Sequence, residues 1–178
     1  FPTRRSSDLR MCIYLNRAEF VERVEGCQAR LYRVALAALG SADAEDAVQE
    51  ALIAAWRALG SLRDERLFET WLMRILINRC RGELRARARR AAPVPDEVLR
   101  AGGLPKDVPE PPDPGLYRAL EQLDYKYRLP LMLSCAEGYS TDEIASMLRL
   151  PGGAVKWRIH QGRIKLRELL KKEGRIDE

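Results

Sequence analysis

Cysteine and histidine are scarce in this chain of 178 residues, which has four cysteines and a single histidine. The cysteines are far apart and form no CxxC pair, so the sequence predicts neither a zinc site nor a disulfide scaffold, and mostly buried, reduced thiols are expected. No Cys/His or Ser/His/Asp grouping at a catalytic spacing and no glycine-rich phosphate loop is visible. The residues therefore offer no candidate catalytic site, cofactor site or metal site.

Long apolar runs and alternating apolar and polar residues are absent as well. No apolar run approaches the roughly 20 residues that cross a bilayer, and no secretory signal is visible. The sequence thus predicts a cytoplasmic protein without membrane insertion. Apolar residues recur at helical spacing instead, which predicts an all-α fold, and the net charge of +5 mildly favours a polyanionic partner.

Proline is unevenly distributed and divides the chain. Residues 91–114 hold seven of the ten prolines, two adjacent glycines, and five acidic residues against two basic ones. This composition predicts a flexible, Pro-rich linker between two small helical domains, at 11–90 and 115–172. Residues 1–10 are expected to be a non-native or disordered tail, with a short basic arm for nucleic acid as the alternative, and 173–178 a second tail.

The N-terminal domain begins with helical periodicity from Arg17 to Leu39, with buried positions predicted at Phe20, Val21, Val24, Leu31, Val34, Ala35 and Ala38. Gly26 is a possible break in this segment, and Gly40 is predicted to end it. A second helix starts near Ser41 or Asp43 and continues to about Leu59. Its predicted buried stripe is Ala44, Ala47, Val48, Ala51, Leu52, Ala55 and Trp56.

The opposite face of that second helix bears Asp43, Asp46, Gln49 and Glu50. Acidic residues near a helix start are favoured by the helix dipole, and they can equally dock a basic partner surface. Both interpretations stay open on the residues alone.

A third helix is predicted from Phe68 onward, with Leu72, Ile75 and Leu76 on its inner face. From Arg79 to Arg90 it carries six arginines and one glutamate. Such a stripe suits a phosphate backbone, where each neutralised phosphate releases counterions, although a solvated basic face is the competing interpretation.

Residues 141–160 form the most informative pattern, two short helices separated by Pro151-Gly152-Gly153. The faces predicted to be buried hold Ile144, Ala145 and Leu148 in the first helix and Val155 and Ile159 in the second. This pattern is typical of a helix-turn-helix, whose second helix enters the major groove of DNA. Its other side carries Lys156, Trp157, His160, Gln161 and Arg163, which suit phosphates and base edges; a merely solvated surface helix is the alternative.

Three segments in this order resemble the small extracytoplasmic-function class of sigma factors of bacterial RNA polymerase. The segments are 43–50 with 54–59, 68–75 with Asn78, and 143–145 with 155–158. The resemblance covers about residues 17–90 and 116–170. It implies a transcription initiation factor that binds core RNA polymerase and directs it to promoters by recognising the −10 and −35 elements and capturing the melted −10 strand.

The resemblance also implies roles for the candidate residues. Those for core polymerase binding are Asp43, Asp46, Gln49 and Glu50. Those for the −10 element are Arg63, Trp71, Asn78, Arg81 and Arg85, with core packing as a strong alternative for Trp71. Those for the −35 element are Lys156, Trp157, Arg158, His160, Gln161 and Arg163. Expected partners are core polymerase, promoter DNA and an anti-sigma factor.

The chain departs from the family pattern at three notable positions. Arg149 stands where the turn usually has a glycine, at a cost on the order of 1 kcal/mol if the backbone is left-handed. Ala154 replaces a usual threonine and Trp157 a usual serine, which leaves the −35 preference open. Two other functions remain as alternatives: a stand-alone helix-turn-helix regulator, and a degenerate sigma-like protein-interaction module.

Overall fold

The computed structural model describes residues 15–90 and 113–175. Every regular element in these two ranges is helical, as the all-α prediction requires. The α-helices are α1 (Arg17–Leu39), α2 (Ser41–Arg57), α3 (Phe68–Arg90), α4 (Pro114–Glu121), α5 (Tyr125–Cys135), α6 (Thr141–Leu148) and α7 (Gly152–Lys172), and two 3-10 turns, Leu59–Ser61 and Glu65–Leu67, connect α2 to α3. We call α1 to α3 the N-terminal unit and α4 to α7 the C-terminal unit.

Local sequence signals explain several helix ends. Asn16 caps α1 through a capping box with Glu19, and Ser140 and Glu143 form the same box at the start of α6. Gly40 ends α1 with φ of 81°, a left-handed conformation that glycine adopts without a steric penalty. The Asn16 and Ser140 boxes satisfy amide groups that the first helical turn would otherwise leave without partners.

The possible break at Gly26 is wrong, because α1 runs through it without interruption. Glycine in a helix costs about 1 kcal/mol relative to alanine. The neighbouring Val24 and Cys27 are buried, and their burial more than offsets that cost.

The core of the N-terminal unit lies between α1, α2 and α3, with Leu72 and Leu76 of α3 fully buried. Two predicted core positions are wrong, since Val21 and Trp56 are each 45% exposed. Trp56 lies at the edge of the core, with its ring 5.2 Å from that of Phe20. Helical periodicity identifies the inward side of a helix but does not locate the edge of the neighbour that covers it.

The helix-turn-helix is present as α6 and α7, but the break between them is at 149–151, because Gly152 and Gly153 already belong to α7. Ile144 and Val155 are completely buried between them, whereas Ala145 is only half-buried. Helix α7 also crosses α5 closely at Gly162, where a β-carbon would lie 3.3 Å from the carbonyl oxygen of Tyr127. This close approach requires a very small residue at position 162.

Arg149 occupies the turn after α6 in the left-handed conformation, with φ of 54° and ψ of 49°. Because an L-residue with a β-carbon is strained there, we expect Arg149→Gly to raise the free energy of unfolding by about 1 kcal/mol. Urea unfolding followed by circular dichroism measures this change. Arg149→Ala is the matched control, and an equal gain from alanine would show that relief of left-handed strain is not the cause.

The two units pack against each other through α1 with α5 and through α3 with α6. At this contact the Glu137 side chain is only 1% exposed and binds two arginines of α1. Arg33 binds both carboxylate oxygens, at 2.8 and 3.0 Å, and Arg30 donates to one oxygen at 3.2 Å. Hydrogen bonding to Glu137 raises the pKa of Arg33, which keeps the guanidinium charged.

Two of the three cysteines within the described residues, Cys27 and Cys80, are buried, and Cys135 is exposed. Burial raises the pKa of Cys80 to about 12 and that of Cys27 to about 11. Both are therefore neutral thiols at physiological pH, and only a thiolate reacts readily.

The Pro-rich linker predicted at 91–114 lies almost entirely outside the described residues, as do the tail at 1–10 and residues 176–178. The proposed domain limits remain a prediction. Among the helices described, none combines the length and the apolar character that membrane crossing requires.

Candidate polymerase and nucleic-acid interfaces

The acidic face of α2 is open to solvent at Asp46, Gln49 and Glu50. Asp43 differs, because it is half-buried and forms an ion pair with Arg87 of α3. Only three of the four residues predicted for polymerase binding are therefore freely accessible. Asp43 also ties α2 to α3.

A shallow groove between α2 and α3 brings the acidic face next to Asn78. Asp46, Glu50, Asn78 and Arg79 all line it, and Arg79 lies 3.8 Å from Glu50. The structure thus places the side-chain amide of Asn78, which is predicted to bind the −10 element, beside the face that is predicted to bind polymerase. The sequence did not predict that these residues lie close together, because they belong to two different helices.

Trp71 and Asn78 are two turns apart on α3. Trp71 is half-buried and lies with its ring 6.0 Å from that of Phe68, while Asn78 is exposed. Arg63 is exposed in the connection before α3. Trp71 therefore packs against the core and still offers part of its ring to solvent.

The arginines of α3 do not form one free basic stripe. Arg81 donates to the carbonyl oxygen of Leu148 in α6 at 2.8 Å, and Arg74 donates to the Ser146 hydroxyl. Arg85 stays exposed and donates to the Arg81 carbonyl oxygen at 3.2 Å. The C-terminal unit thus occupies part of the basic face, and Arg81 is engaged there in this arrangement.

Helix α7 carries the six residues predicted to contact the −35 element, and one of them, Arg163, also donates to the sulfur of Cys135 in α5 at 3.4 Å. Lys156, Trp157, His160 and Arg163 are exposed, and Arg158 and Gln161 are half-buried. Gly152 to Arg163 contains no acidic residue. A helix with this charge distribution, outermost in a helix-turn-helix, can lie in a major groove with cations against phosphates.

No sequence pattern indicated a role for Glu137, which joins the two units, or for Tyr127, whose ring packs against that of Trp157. Glu137 follows α5 in a short turn beside Gly138, whose φ is 73°. From the sequence, a single glutamate in a turn is expected to be exposed to solvent. The arginine partners of Glu137 are more than 100 positions away in the sequence. No local pattern could have identified it.

Two family models match the chain. The family described as Sigma-70 region 2 matches residues 24–90, and the one described as Sigma-70, region 4 matches residues 115–166. The matched segments correspond to the bulk of the N-terminal unit and of the C-terminal unit.

Curated relatives agree with these matches. The chain is 35% identical over 136 residues to the ECF RNA polymerase sigma-E factor of Escherichia coli K12, covering 69% of this chain and 71% of that protein. It is 34% identical over 137 residues to the RNA polymerase sigma-H factor of Pseudomonas aeruginosa, covering 68% and 69% respectively.

Solved structures match both units together. The sigma factor RpoE of Bartonella quintana, crystallised with the anti-sigma factor NepR, superposes with a TM-score of 0.73 at 26% identity, covering 86% of this chain and 97% of that one. CnrH, solved with the cytosolic domain of CnrY, superposes with a TM-score of 0.64 at 27% identity, covering 88% and 90%. With both sigma regions in order, and with relatives at this identity and coverage, the chain belongs to the extracytoplasmic-function sigma factors of the sigma-70 family.

Proposed function

We propose that this sigma factor uses the exposed part of the α2 acidic face to bind core RNA polymerase and α7 to read the −35 element. Asn78, Trp71, Arg63, Arg81 and Arg85 engage the −10 element. The observation that carries the proposal is that one chain combines a solvent-exposed acidic face with a cationic, outward-facing recognition helix. A stand-alone regulator would use only the second of these and is not favoured.

The direct test is transcription in vitro with bacterial core RNA polymerase and a pool of promoter-bearing DNA fragments. Core polymerase alone initiates without promoter selection, so we expect discrete transcripts only after addition of the purified chain. Mapping of the start sites then defines the −10 and −35 elements. An unchanged transcript pattern in the absence of any inhibitor would contradict the proposal.

The contact between the N-terminal and C-terminal units affects how Arg81 can bind the −10 element. Arg81 can reach DNA once it releases the Leu148 carbonyl group, either by a change of side-chain rotamer or by movement of the two units apart. The buried Glu137 carboxylate opposes this movement through Arg30 and Arg33.

We expect Glu137→Ala to weaken the contact between the units by about 1–3 kcal/mol, since it removes charge-assisted hydrogen bonds while each unit keeps its own core. Small-angle scattering should show a larger radius of gyration, with the helical circular dichroism signal unchanged. Glu121→Ala, at an exposed acid of α4, is the matched control. An unchanged radius in Glu137→Ala would mean that apolar packing and the remaining hydrogen bonds hold the units together without Glu137.

The remaining functional proposals follow from the family. We infer that the chain has no catalytic activity of its own, acts in the cytoplasm with the polymerase, and is regulated by an anti-sigma protein. Support for the last point comes from the two superposed sigma factors, each solved with a bound partner and each matching both units of this chain.

A further inference from the structure

The outward face of α7 carries two large apolar side chains that are largely exposed to solvent. Trp157 is 54% exposed and Ile164 is 41% exposed, and they lie two turns apart on the same face. Exposing an indole to water forgoes the free energy that its burial would give. An exposed tryptophan at this place therefore suggests a contact that forms on binding.

The Trp157 ring packs against the ring of Tyr127. Its centroid lies 5.9 Å from that of Tyr127 on α5, with 56° between the planes. Tyr127 is half-buried, and the ammonium groups of Lys126 and Lys165 lie 4.9 and 5.7 Å from its ring centroid. The indole thus packs against an aromatic ring that is itself flanked by cations, and about half of the tryptophan stays exposed.

The charged residues around the Trp157 ring indicate which kind of surface the ring can bind. Lys156, His160 and Arg163 are exposed on the same helix, and its first twelve residues, 152–163, contain no acid. A partner surface that combines negative charge with an apolar group would complement these side chains. In the major groove of DNA the phosphates supply the charge, and the 5-methyl group of thymine is the apolar group on the base edges.

We infer that Trp157 contacts the 5-methyl group of one thymine in the −35 element and that Tyr127 is its positioning residue. This inference rests on the proposed function of α7 as the −35-reading helix. The indole has no hydroxyl that could bind phosphate, and it offers instead an apolar ring that discriminates at a single base pair.

The test uses holoenzyme assembled from the full chain and core polymerase. A −35 element is first selected from a random duplex pool, and each of its thymines is then replaced singly by deoxyuridine, which removes only the methyl group. We expect affinity to fall about fourfold at one position, the factor that corresponds to burial of one methyl-sized group. Other thymine positions should show no change.

Variants test whether the effect of deoxyuridine on affinity depends on the rings of Trp157 and Tyr127. Trp157→Ser should bind the thymine and deoxyuridine duplexes equally well at the sensitive position. Ile164→Ser, at the other exposed apolar residue of the same face, should keep the difference and serves as the matched control. Tyr127→Ala should lose the difference, whereas Tyr127→Phe should restore it, because phenylalanine retains the supporting ring.

Three results would overturn the inference: a selected element without thymine, equal affinity of the wild type for every deoxyuridine duplex, or a deoxyuridine effect that persists in Trp157→Ser. A holoenzyme that selects no −35 element at all would remove the proposed function of α7 and this inference with it. The two failures are thereby distinguishable.

Discussion

Charge reversal at Asp46 and Glu50, as D46K/E50K, is expected to abolish co-elution of the chain with core RNA polymerase on size exclusion. Both side chains are exposed on α2. Replacing them with lysine turns an attraction for a basic surface into a repulsion, which we expect to weaken binding on the order of 100-fold or more. The only ion pair affected within the described residues is the 3.8 Å contact of Glu50 with Arg79, so the fold should be retained.

The matched control is Glu22→Lys with Glu25→Lys, which makes the same change in net charge at two exposed positions of α1. This control should co-elute like the wild type. Circular dichroism and urea unfolding would verify that both double variants are folded. If D46K/E50K still co-elutes, the polymerase-binding surface lies elsewhere on the chain, and the role assigned to α2 is wrong.

Reversal of Lys156 and Arg163, as K156E/R163E, is expected to abolish recognition of the −35 element while leaving polymerase binding intact. Both cations are exposed on α7, and Arg163 also donates to the sulfur of Cys135 in α5. Their replacement by glutamates places negative charge against phosphates, which should lower the affinity of the holoenzyme for a −35 duplex on the order of 100-fold or more. Measurements over a range of salt concentrations should also show a shallower dependence, by roughly 0.9 in the logarithmic slope for each phosphate that is no longer neutralised.

Arg17→Glu with Arg57→Glu provides the control, since both arginines are exposed in the N-terminal unit and the total change in charge is the same. The two double variants should differ strongly in duplex binding and little in stability. Equal reductions in both would show that net charge, and not the position of the cations on α7, governs the interaction with DNA.

The helix boundaries illustrate what local chemistry could predict. The end of α1 at Gly40 and the start of α7 after Pro151 follow from backbone preferences that act within a few residues, whereas Gly152 and Gly153, predicted to lie in the break, are the first residues of α7. The left-handed backbone at Arg149 was considered only because the resembling family usually has a glycine at this position, and the structure confirms it. The end of α1 and the start of α7 depend on neighbours in sequence and so can be derived from it.

Features that depend on neighbours in space were predicted less well. Trp56 and Val21 have helical spacing that fits a buried face, yet they lie where the packing of α1 against α2 and α3 ends. Gly26 was considered a helix break, although burial on either side of it sustains the helix. In each case the tertiary partner decided the outcome, because burial free energy exceeds the small local preference.

The sequence by itself determined the all-α class, the helix-turn-helix, the acidic face of α2 and the family, since each depends on residue order and periodicity. Only the tertiary structure decided that Glu137 binds Arg30 and Arg33 and that Arg81 is engaged by α6. It also placed Trp157 against Tyr127. Ion pairs and ring contacts between distant segments need a particular approach of two helical surfaces, and that approach is set by the summed packing of the whole core, which no local pattern encodes.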